Sequence, residues 1–188
     1  LYDLNTFTTD EAMLPTRGGD WYDGGLWQNL FLHNWGTKND LVKGSWDYLY
    51  KVIAQTNQSL DKLKEILENN PENISVPKYI SEVRAFRAMY YYYLLDMFAR
   101  VPLVTSSSVA MEDVVQSERS AVFNFVRTEL EESVEDLSDA HSNLTGEYYG
   151  RITKPVAYFL LAKLALNAEV YADDNWTDGT KLDGKNIK

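Results

Sequence analysis

The 188-residue chain is 45% hydrophobic and 24% charged, which is typical of one folded domain with its own core or of two small ones. Its formal net charge of −10 disfavours nucleic acid and anionic lipid as partners, because such a surface repels phosphate groups, whereas a neutral ligand such as a sugar is not repelled. The sequence has no cysteine, which excludes disulfides, thiol catalysis and cysteine-ligated metals.

The first feature in chain order is an aromatic and glycine-rich stretch, PTRGGDWYDGGLWQNLFLHNW, over residues 15–35. It holds three of the five tryptophans, and its glycines disfavour a simple helix. Two interpretations compete: the rings fill space against the helices that follow, or some present a ring face on which the apolar face of a sugar can pack. The polar side chains that suit sugar hydroxyl groups are Arg17, Asp20, Asp23, Gln28 and Asn34.

Four long helices are predicted after this stretch, because apolar residues recur at steps of three and four. We divide the chain into an irregular segment 1–40, a helical hairpin 41–100, a connector 101–118, a second hairpin 119–173 and a polar loop 174–188. This organisation predicts a mostly α fold with tetratricopeptide-like helical hairpins. The last helix is apolar almost all round, so we expect it deep in the packing, with Thr153 as its N-cap.

We expect the tyrosines and charged residues on these helices to stabilise the fold or to face solvent. Two of the four tyrosines at 90–93 should face the core, because successive helix residues point about 100° apart. Arg84 and Arg87 need carboxylate partners wherever they are buried. The candidate partners are Asp47, Glu82 and Asp96. We expect a solvated acidic face on the third helix, made of Glu129, Glu131, Glu132, Glu135 and Asp136.

The sequence has no nucleophile elbow, phosphate-binding loop or zinc-protease motif, so we expect no catalytic residue, no metal and no cofactor. One alternative is a glycoside hydrolase that uses Asp20 and Asp23 as its pair of carboxylates. A calcium loop over 173–179 is a poor match, because Trp176 stands where an oxygen ligand belongs.

The helices carry a family resemblance. YISEVRAFRAMYYYYLLDMFARVPLV (79–104) resembles the hallmark helix of the SusD/RagB family, with Ala99-Arg100 in place of the usual glycine step. GRITKPVAYFLLAKLALNAEVY (150–171) resembles a second marker helix. The helices before them, SWDYLYKVIAQTNQSLDKL (45–63) and SERSAVFNFVRTELEESVEDL (117–137), are similar to their family counterparts, and TTDEAMLPTRGGDWYDGGLWQNLFLHNW (8–35) resembles the N-terminal segment of some members.

The resemblance implies a surface-exposed, lipid-anchored outer-membrane protein of Gram-negative bacteria. Such proteins bind starch or other polysaccharides without catalysis and deliver them to a SusC-like TonB-dependent barrel for nutrient uptake. Members are longer, so the lipid-bearing cysteine upstream of Leu1 and the C-terminal half would lie outside this chain. The sugar contacts that the resemblance implies are Arg17, Trp21, Tyr22, Asp23 and Trp27, to which the residue chemistry above adds Asp20. The alternative function is a helical-repeat scaffold that binds another protein, with the aromatic rings purely structural.

Overall fold

A computed structural model describes residues 1–175 and 177–179. The chain divides into two compact units, Leu1–Tyr50 and Lys51–Lys188. Within the described residues the regular elements are helical, as the sequence predicts. The α-helices are α1 (Tyr2–Phe7), α2 (Leu26–Phe31), α3 (Asp40–Asn69), α4 (Val76–Phe98), α5 (Arg119–Ser133), α6 (Lys154–Leu166) and α7 (Ala168–Tyr171). Single 3-10 turns cover Asp23–Gly25, Met111–Asp113 and Val134–Asp136.

The first unit contains α1, α2 and the N-terminal part of α3. α1 and α2 pack on each other, and each buries one leucine, Leu4 and Leu30. Both are six residues long, which is too short for a helix to persist by its own hydrogen bonds. Their mutual packing therefore stabilises them. They also interrupt the segment 1–40 that the sequence predicts to be irregular, because its glycines are concentrated between the two helices.

The core of the second unit lies between α4 and α5, which make its most extensive helix contact. Ala85 and Ala88 on α4 are fully buried, as are Val126 and Leu130 on α5. Small side chains on one helix let the larger side chains of its neighbour approach closely. α6 packs on both helices. The predicted mostly α fold with tetratricopeptide-like hairpins is confirmed.

The tyrosine run divides between the core and its edge, as predicted. Tyr91 and Tyr92 are buried, whereas Tyr90 and Tyr93 are half-buried. The Tyr91 hydroxyl donates to the Val104 carbonyl at 2.9 Å and accepts from the Val104 amide at 2.7 Å. Burial raises the pKa of Tyr91 to about 12. This tyrosine therefore holds the connector after α4 against the helix that precedes it.

The predicted carboxylate partners of Arg84 and Arg87 are wrong. Both guanidinium groups bond to Glu129 on α5, Arg84 at 2.7 Å and Arg87 at 2.6 Å. Glu129 is therefore buried, and the prediction of a solvated acidic face fails at this residue, because α5 turns it toward the two arginines of α4. The carboxylates proposed from sequence bond elsewhere: Asp47 to Lys43, Glu82 to Arg151 and Asp96 to Tyr171.

α6 does not lie deep in the packing on all sides, contrary to the prediction. Leu160 and Leu164 are buried, whereas Phe159 and Leu166 are 64% and 75% exposed. The uniform apolar character of the helix specifies no face, so the sequence could not indicate which side has a neighbour in this chain. No helix in the described part of the chain is both long enough and apolar enough to cross a bilayer, and α6 itself has only 13 residues.

The ends of the helices differ from the predictions in detail. Thr153 occupies the N-cap position of α6, but its hydroxyl makes no capping hydrogen bond. The fourth predicted helix is broken at Asn167, between α6 and α7. α4 ends at Phe98, and Ala99 follows with a φ of 60°, in the left-handed region that favours glycine.

Candidate functional site

The candidate residues lie between α1 and α2 and at the start of α2, in the first unit. Arg17 and Asp20 face each other across a Gly18–Gly19 turn, and their backbones exchange hydrogen bonds of 3.1 and 3.0 Å. Gly18 has a φ of 62°, which residues with a side chain rarely adopt. Both charged side chains are exposed. The turn therefore presents one positive and one negative group to solvent.

Trp21 and Tyr22 follow the turn, and their side chains are 51% and 59% exposed. The backbone is strained beside these rings, because φ is 61° at Trp21 and 40° at Asp23. Each such conformation costs about 1–3 kcal/mol and persists only where surrounding contacts hold it. Strain of this kind is common at ligand sites, and here it coincides with exposed aromatic surface.

Trp27, at the start of α2, is half-buried and connects this helix to the loop between α1 and α2. Its indole Nε1 donates to Asp23 Oδ2 at 2.7 Å. Its ring meets those of Phe7 and Trp21 edge to face, with centroids 5.2 and 6.2 Å apart. One oxygen of the Asp23 carboxylate is therefore already used within the loop, and Trp27 supports the more exposed Trp21.

The Gln28 side chain forms hydrogen bonds with the loop between α1 and α2. Its Nε2 lies within hydrogen-bonding distance of three acceptors, Thr16 Oγ1 at 2.8 Å, the Trp21 carbonyl at 3.2 Å and the Leu14 carbonyl at 3.3 Å. These contacts join the chain before and after the glycine turn to α2. Gln28 Oε1 is buried and has no hydrogen-bond partner within the described residues.

A further aromatic pair follows α2. His33 and Trp35 have ring centroids 5.3 Å apart, and Trp35 is 38% exposed. His33 has a φ of 54°, so it too lies in the left-handed region. The pair adds partly exposed aromatic surface to the first unit outside the predicted set.

The six residues predicted from sequence thus differ in their surroundings. Two are exposed rings, two are exposed charges, and the remaining two, Asp23 and Trp27, bond to each other. The sequence did not indicate Phe7, because it lies far upstream of the aromatic stretch. The sequence indicates Gln28 only as a polar side chain suited to sugar hydroxyl groups, because its role inside the loop depends on backbone geometry that composition does not specify.

No group of three or more metal-ligating side chains is arranged to hold an ion in residues 1–175 and 177–179. The loop 173–179, considered from sequence as a calcium loop, includes Trp176, which lies outside the described residues. Asp174 accepts hydrogen bonds from the hydroxyl and the amide of Ser120, and these hold the pKa of its carboxyl below the ordinary value. Asp174 therefore stabilises the start of α5.

Residues 4–166 match the SusD-like family described as "Starch-binding associating with outer membrane". The chain is 24% identical over 170 residues to the starch-binding protein SusD of Bacteroides thetaiotaomicron, which covers 90% of this chain and 28% of that protein. It is 25% identical over 144 residues to a SusD-like protein of Bacteroides ovatus, which covers 76% of this chain and 24% of the relative. The chain thus spans about a quarter of these relatives.

Solved structures share the fold. A surface glycan-binding protein A from Bacteroides uniformis superposes with a TM-score of 0.72 at 21% identity, over 90% of this chain and 37% of that one. A laminarin-binding SusD-like protein superposes with a TM-score of 0.68 at 24% identity, over 97% of this chain and 43% of that one. The family match, the relatives and the helical fold agree, and the chain belongs to the SusD-like family.

Proposed function

We propose that this chain forms part of a surface protein that binds glycans without altering them. The observation that carries the proposal is the pair of exposed rings, Trp21 and Tyr22, on a strained and internally bonded loop. The description of the family as starch-binding and the names of its glycan-binding relatives support the same function.

The chemistry of the loop suits a neutral sugar. The C–H face of a sugar ring packs on an indole or phenol ring, and its hydroxyl groups need donors and acceptors beside that ring. Arg17 supplies donors and Asp20 supplies acceptors on the turn that precedes Trp21. Asp23 and Trp27 hold the loop in shape through the hydrogen bond between them.

We do not expect hydrolysis at this loop. The Asp23 carboxylate accepts the indole hydrogen bond of Trp27, and Asp20 is exposed on the turn. A carboxylic acid that protonates a glycosidic oxygen at neutral pH normally needs an apolar pocket or a neighbouring carboxylate. Incubation with starch or laminarin should therefore release no reducing ends, and turnover that Asp20→Asn and Asp23→Asn abolish would contradict the proposal.

The wider role rests on the family. We propose that the whole protein is held at the cell surface by a lipid anchor upstream of Leu1 and passes bound oligosaccharides to a SusC-like TonB-dependent barrel of the outer membrane. Co-purification of the membrane-extracted protein with such a barrel is the expected result. Recovery of the protein without any barrel after mild detergent extraction would contradict the partnership.

Tryptophan fluorescence tests the binding step. Maltoheptaose, laminarihexaose or cellohexaose that covers Trp21 should shift the emission to shorter wavelength in a saturable way and protect it from acrylamide. Trp21→Phe should remove most of the change, whereas Trp46→Phe on α3 should keep it. The absence of a saturable change with all three glucans, or its retention in Trp21→Phe, would overturn the proposed site.

A further inference from the structure

The second unit contains a polar cleft that shares no residue with the loop described above. Its volume is about 520 Å³, within the range of about 300–1,000 Å³ that is usual for small-molecule sites. One wall is a face of α4 that carries Lys78, Tyr79 and Glu82. The others are the chain after the 3-10 turn Val134–Asp136 and the end of the loop that leads into α6.

The walls of the cleft are fixed to one another. Arg151 donates to Glu82 through two nitrogens, Nε at 2.9 Å and Nη2 at 2.6 Å, so the loop before α6 is clamped to α4. Ser81 Oγ donates to Asp136 Oδ2 at 2.8 Å, which joins α4 to the 3-10 turn. A cleft held open in this way loses little conformational entropy when a ligand enters.

The charge of the cleft excludes anions. Five carboxylates and three cationic side chains line it, so it has a formal charge of −2. The strongest cation, Arg151, is already neutralised by its two bonds to Glu82. A phosphate, sulfate or uronate group would therefore be repelled, whereas a neutral polyhydroxyl compound would not.

One set of charges in the cleft is spaced for a bridging hydroxyl group. Lys154 Nζ lies 3.6 Å from Glu135 Oε2 and 3.7 Å from Asp139 Oδ1, which is longer than a direct hydrogen bond. Both carboxylates are well exposed, with side chains 77% and 90% accessible. A hydroxyl group can accept from the Lys154 ammonium and donate to a carboxylate at the same time, which neither a second ammonium nor a carbonyl can do.

Two tyrosine rings supply apolar surface beside these charges. Tyr79 is 48% exposed on the α4 wall. Tyr148 is half-buried, and the guanidinium carbon of Arg151 lies 5.0 Å from the centre of its ring. The cation holds the Tyr148 ring in place, while the exposed surface of Tyr79 can take the C–H face of a sugar ring.

We propose that this cleft is a second saccharide site that binds one or two neutral sugar units, with Tyr79 as its platform and Lys154 as its main donor. The site goes beyond the function proposed for the loop of the first unit, because it uses none of the same residues. Two weak sites on one chain raise the apparent affinity for a polymer that is long enough to reach both.

Nuclear magnetic resonance on the ¹⁵N-labelled full chain tests the proposal. Maltose, laminaribiose and cellobiose are titrated to about 50 mM, which detects even millimolar binding. At least one disaccharide should cause saturable shifts of the amide resonances of Ser138, Asp139 and Tyr148. Tyr79→Ala should weaken that binding about tenfold, as expected for loss of one stacked ring. Lys154→Met, which keeps the aliphatic stem, should weaken it to a similar degree.

Tyr149→Ala is the matched control, because Tyr149 is 67% exposed next to Tyr148 and does not line the cleft. It should change the affinity by less than about twofold. Trp21→Ala should leave the shifts in the cleft intact, which separates this site from the loop of the first unit. The proposal is overturned if no disaccharide gives saturable shifts, if Tyr149→Ala weakens binding as much as Tyr79→Ala, or if the shifts disappear in Trp21→Ala.

Discussion

Trp21 and Trp27 have different surroundings although they are close in sequence. Trp21 is half-exposed with a backbone φ of 61°, whereas Trp27 is half-buried and bonds to Asp23. Glycine adopts such a backbone conformation at lower cost, so the backbone does not explain a large, half-exposed ring at position 21. We therefore propose that the ring of Trp21 contacts a ligand, whereas the ring of Trp27 has its partners within the protein.

Glu129 gives the strongest stability prediction at the scale of single residues. Its side chain and that of Arg87 are 9% and 7% exposed, and their charges are joined at 2.6 Å. Glu129→Gln should lower the free energy of unfolding by about 3 kcal/mol, because a buried guanidinium loses its counter-charge. Glu132→Gln, at a side chain 57% exposed, should cost less than about 1 kcal/mol. Urea denaturation measures both, and equal losses would contradict the assignment of Glu129 as the buried partner.

Asp61 gives a pH prediction. Hydrogen bonds from the Ser107 hydroxyl at 2.5 Å and the Ser107 amide at 3.0 Å lower the pKa of its carboxyl below the ordinary 3.8. Because the folded pKa is the lower one, this stabilisation is present above pH 3.8 and is lost as the pH falls through the folded pKa.

Ser107→Ala should therefore destabilise the protein by up to about 1 kcal/mol near neutral pH and by much less near pH 2.5, since the exposed pair is screened by solvent. Ser108→Ala is the control, because its hydroxyl pairs with that of Ser106 and neither group titrates. Urea denaturation at the two pH values gives the difference. A Ser107→Ala effect that does not change with pH would show that the bond to Asp61 is not its source.

At the residue scale, the types of residue in the core and in the candidate loop were predictable from the sequence, but their bonding partners were not. Helical spacing correctly placed two of the tyrosines 90–93 in the core. It also placed Glu129 among exposed acidic residues, because an isolated helix pattern cannot indicate that a neighbouring helix carries two arginines at the same height. The same is true of the candidate loop. The sequence predicts which aromatic and charged residues it contains, but its backbone torsion angles and the contacts of Gln28 depend on tertiary structure.

At the scale of elements, the residue that follows α4 has a backbone conformation that its residue type disfavours. Ala99 has a φ of 60° where the family resemblance expects a glycine step. Ala99→Gly should raise the free energy of unfolding by about 0.5–1 kcal/mol, because relief of the left-handed strain exceeds the added entropy of the unfolded chain. Ala162→Gly, at an exposed position within α6, should lower it by about the same amount. A loss of stability in both variants by thermal denaturation would contradict the strain.

α6 has one buried and one exposed apolar side, and two leucines on it form a matched pair. Leu164 is 1% exposed and Leu166 is 75% exposed. Leu164→Ala should cost about 2–5 kcal/mol through the cavity it leaves, whereas Leu166→Ala should cost less than about 0.5 kcal/mol. Chemical denaturation of the two variants measures the difference. Similar losses would mean that the face with Leu166 is also packed in the folded chain.

The existence and order of the helices were predictable because apolar spacing and prolines determine them locally. α3 and α4 occupy Asp40–Asn69 and Val76–Phe98, in the part of the chain where the sequence predicts a hairpin over 41–100. The exposed side of α6 was not predictable, since a helix that is apolar all round gives no preferred face. The short helices α1 and α2 were missed because six residues are too few for periodicity to emerge.

At the scale of the whole molecule, charge and exposed aromatic surface both agree with the proposed binding of neutral ligands. The net charge of −10 disfavours anionic polymers, and the exposed rings of the first unit favour uncharged sugars. The helical scaffold belongs to the SusD-like family, whose relatives are about four times as long as the part matched here.

We expect Trp21 to contact a ligand and Trp27 to stabilise the fold. Isothermal titration with the best-binding glucan, combined with thermal unfolding of Trp21→Ala and Trp27→Ala, distinguishes the two roles. Trp21→Ala should weaken binding at least about tenfold while the unfolding temperature stays within about 2 °C of wild type, and Trp27→Ala should lower that temperature by several degrees. If Trp21→Ala instead unfolds the protein, or leaves glucan binding unchanged, the aromatic loop is structural and the alternative of a protein-binding scaffold gains support.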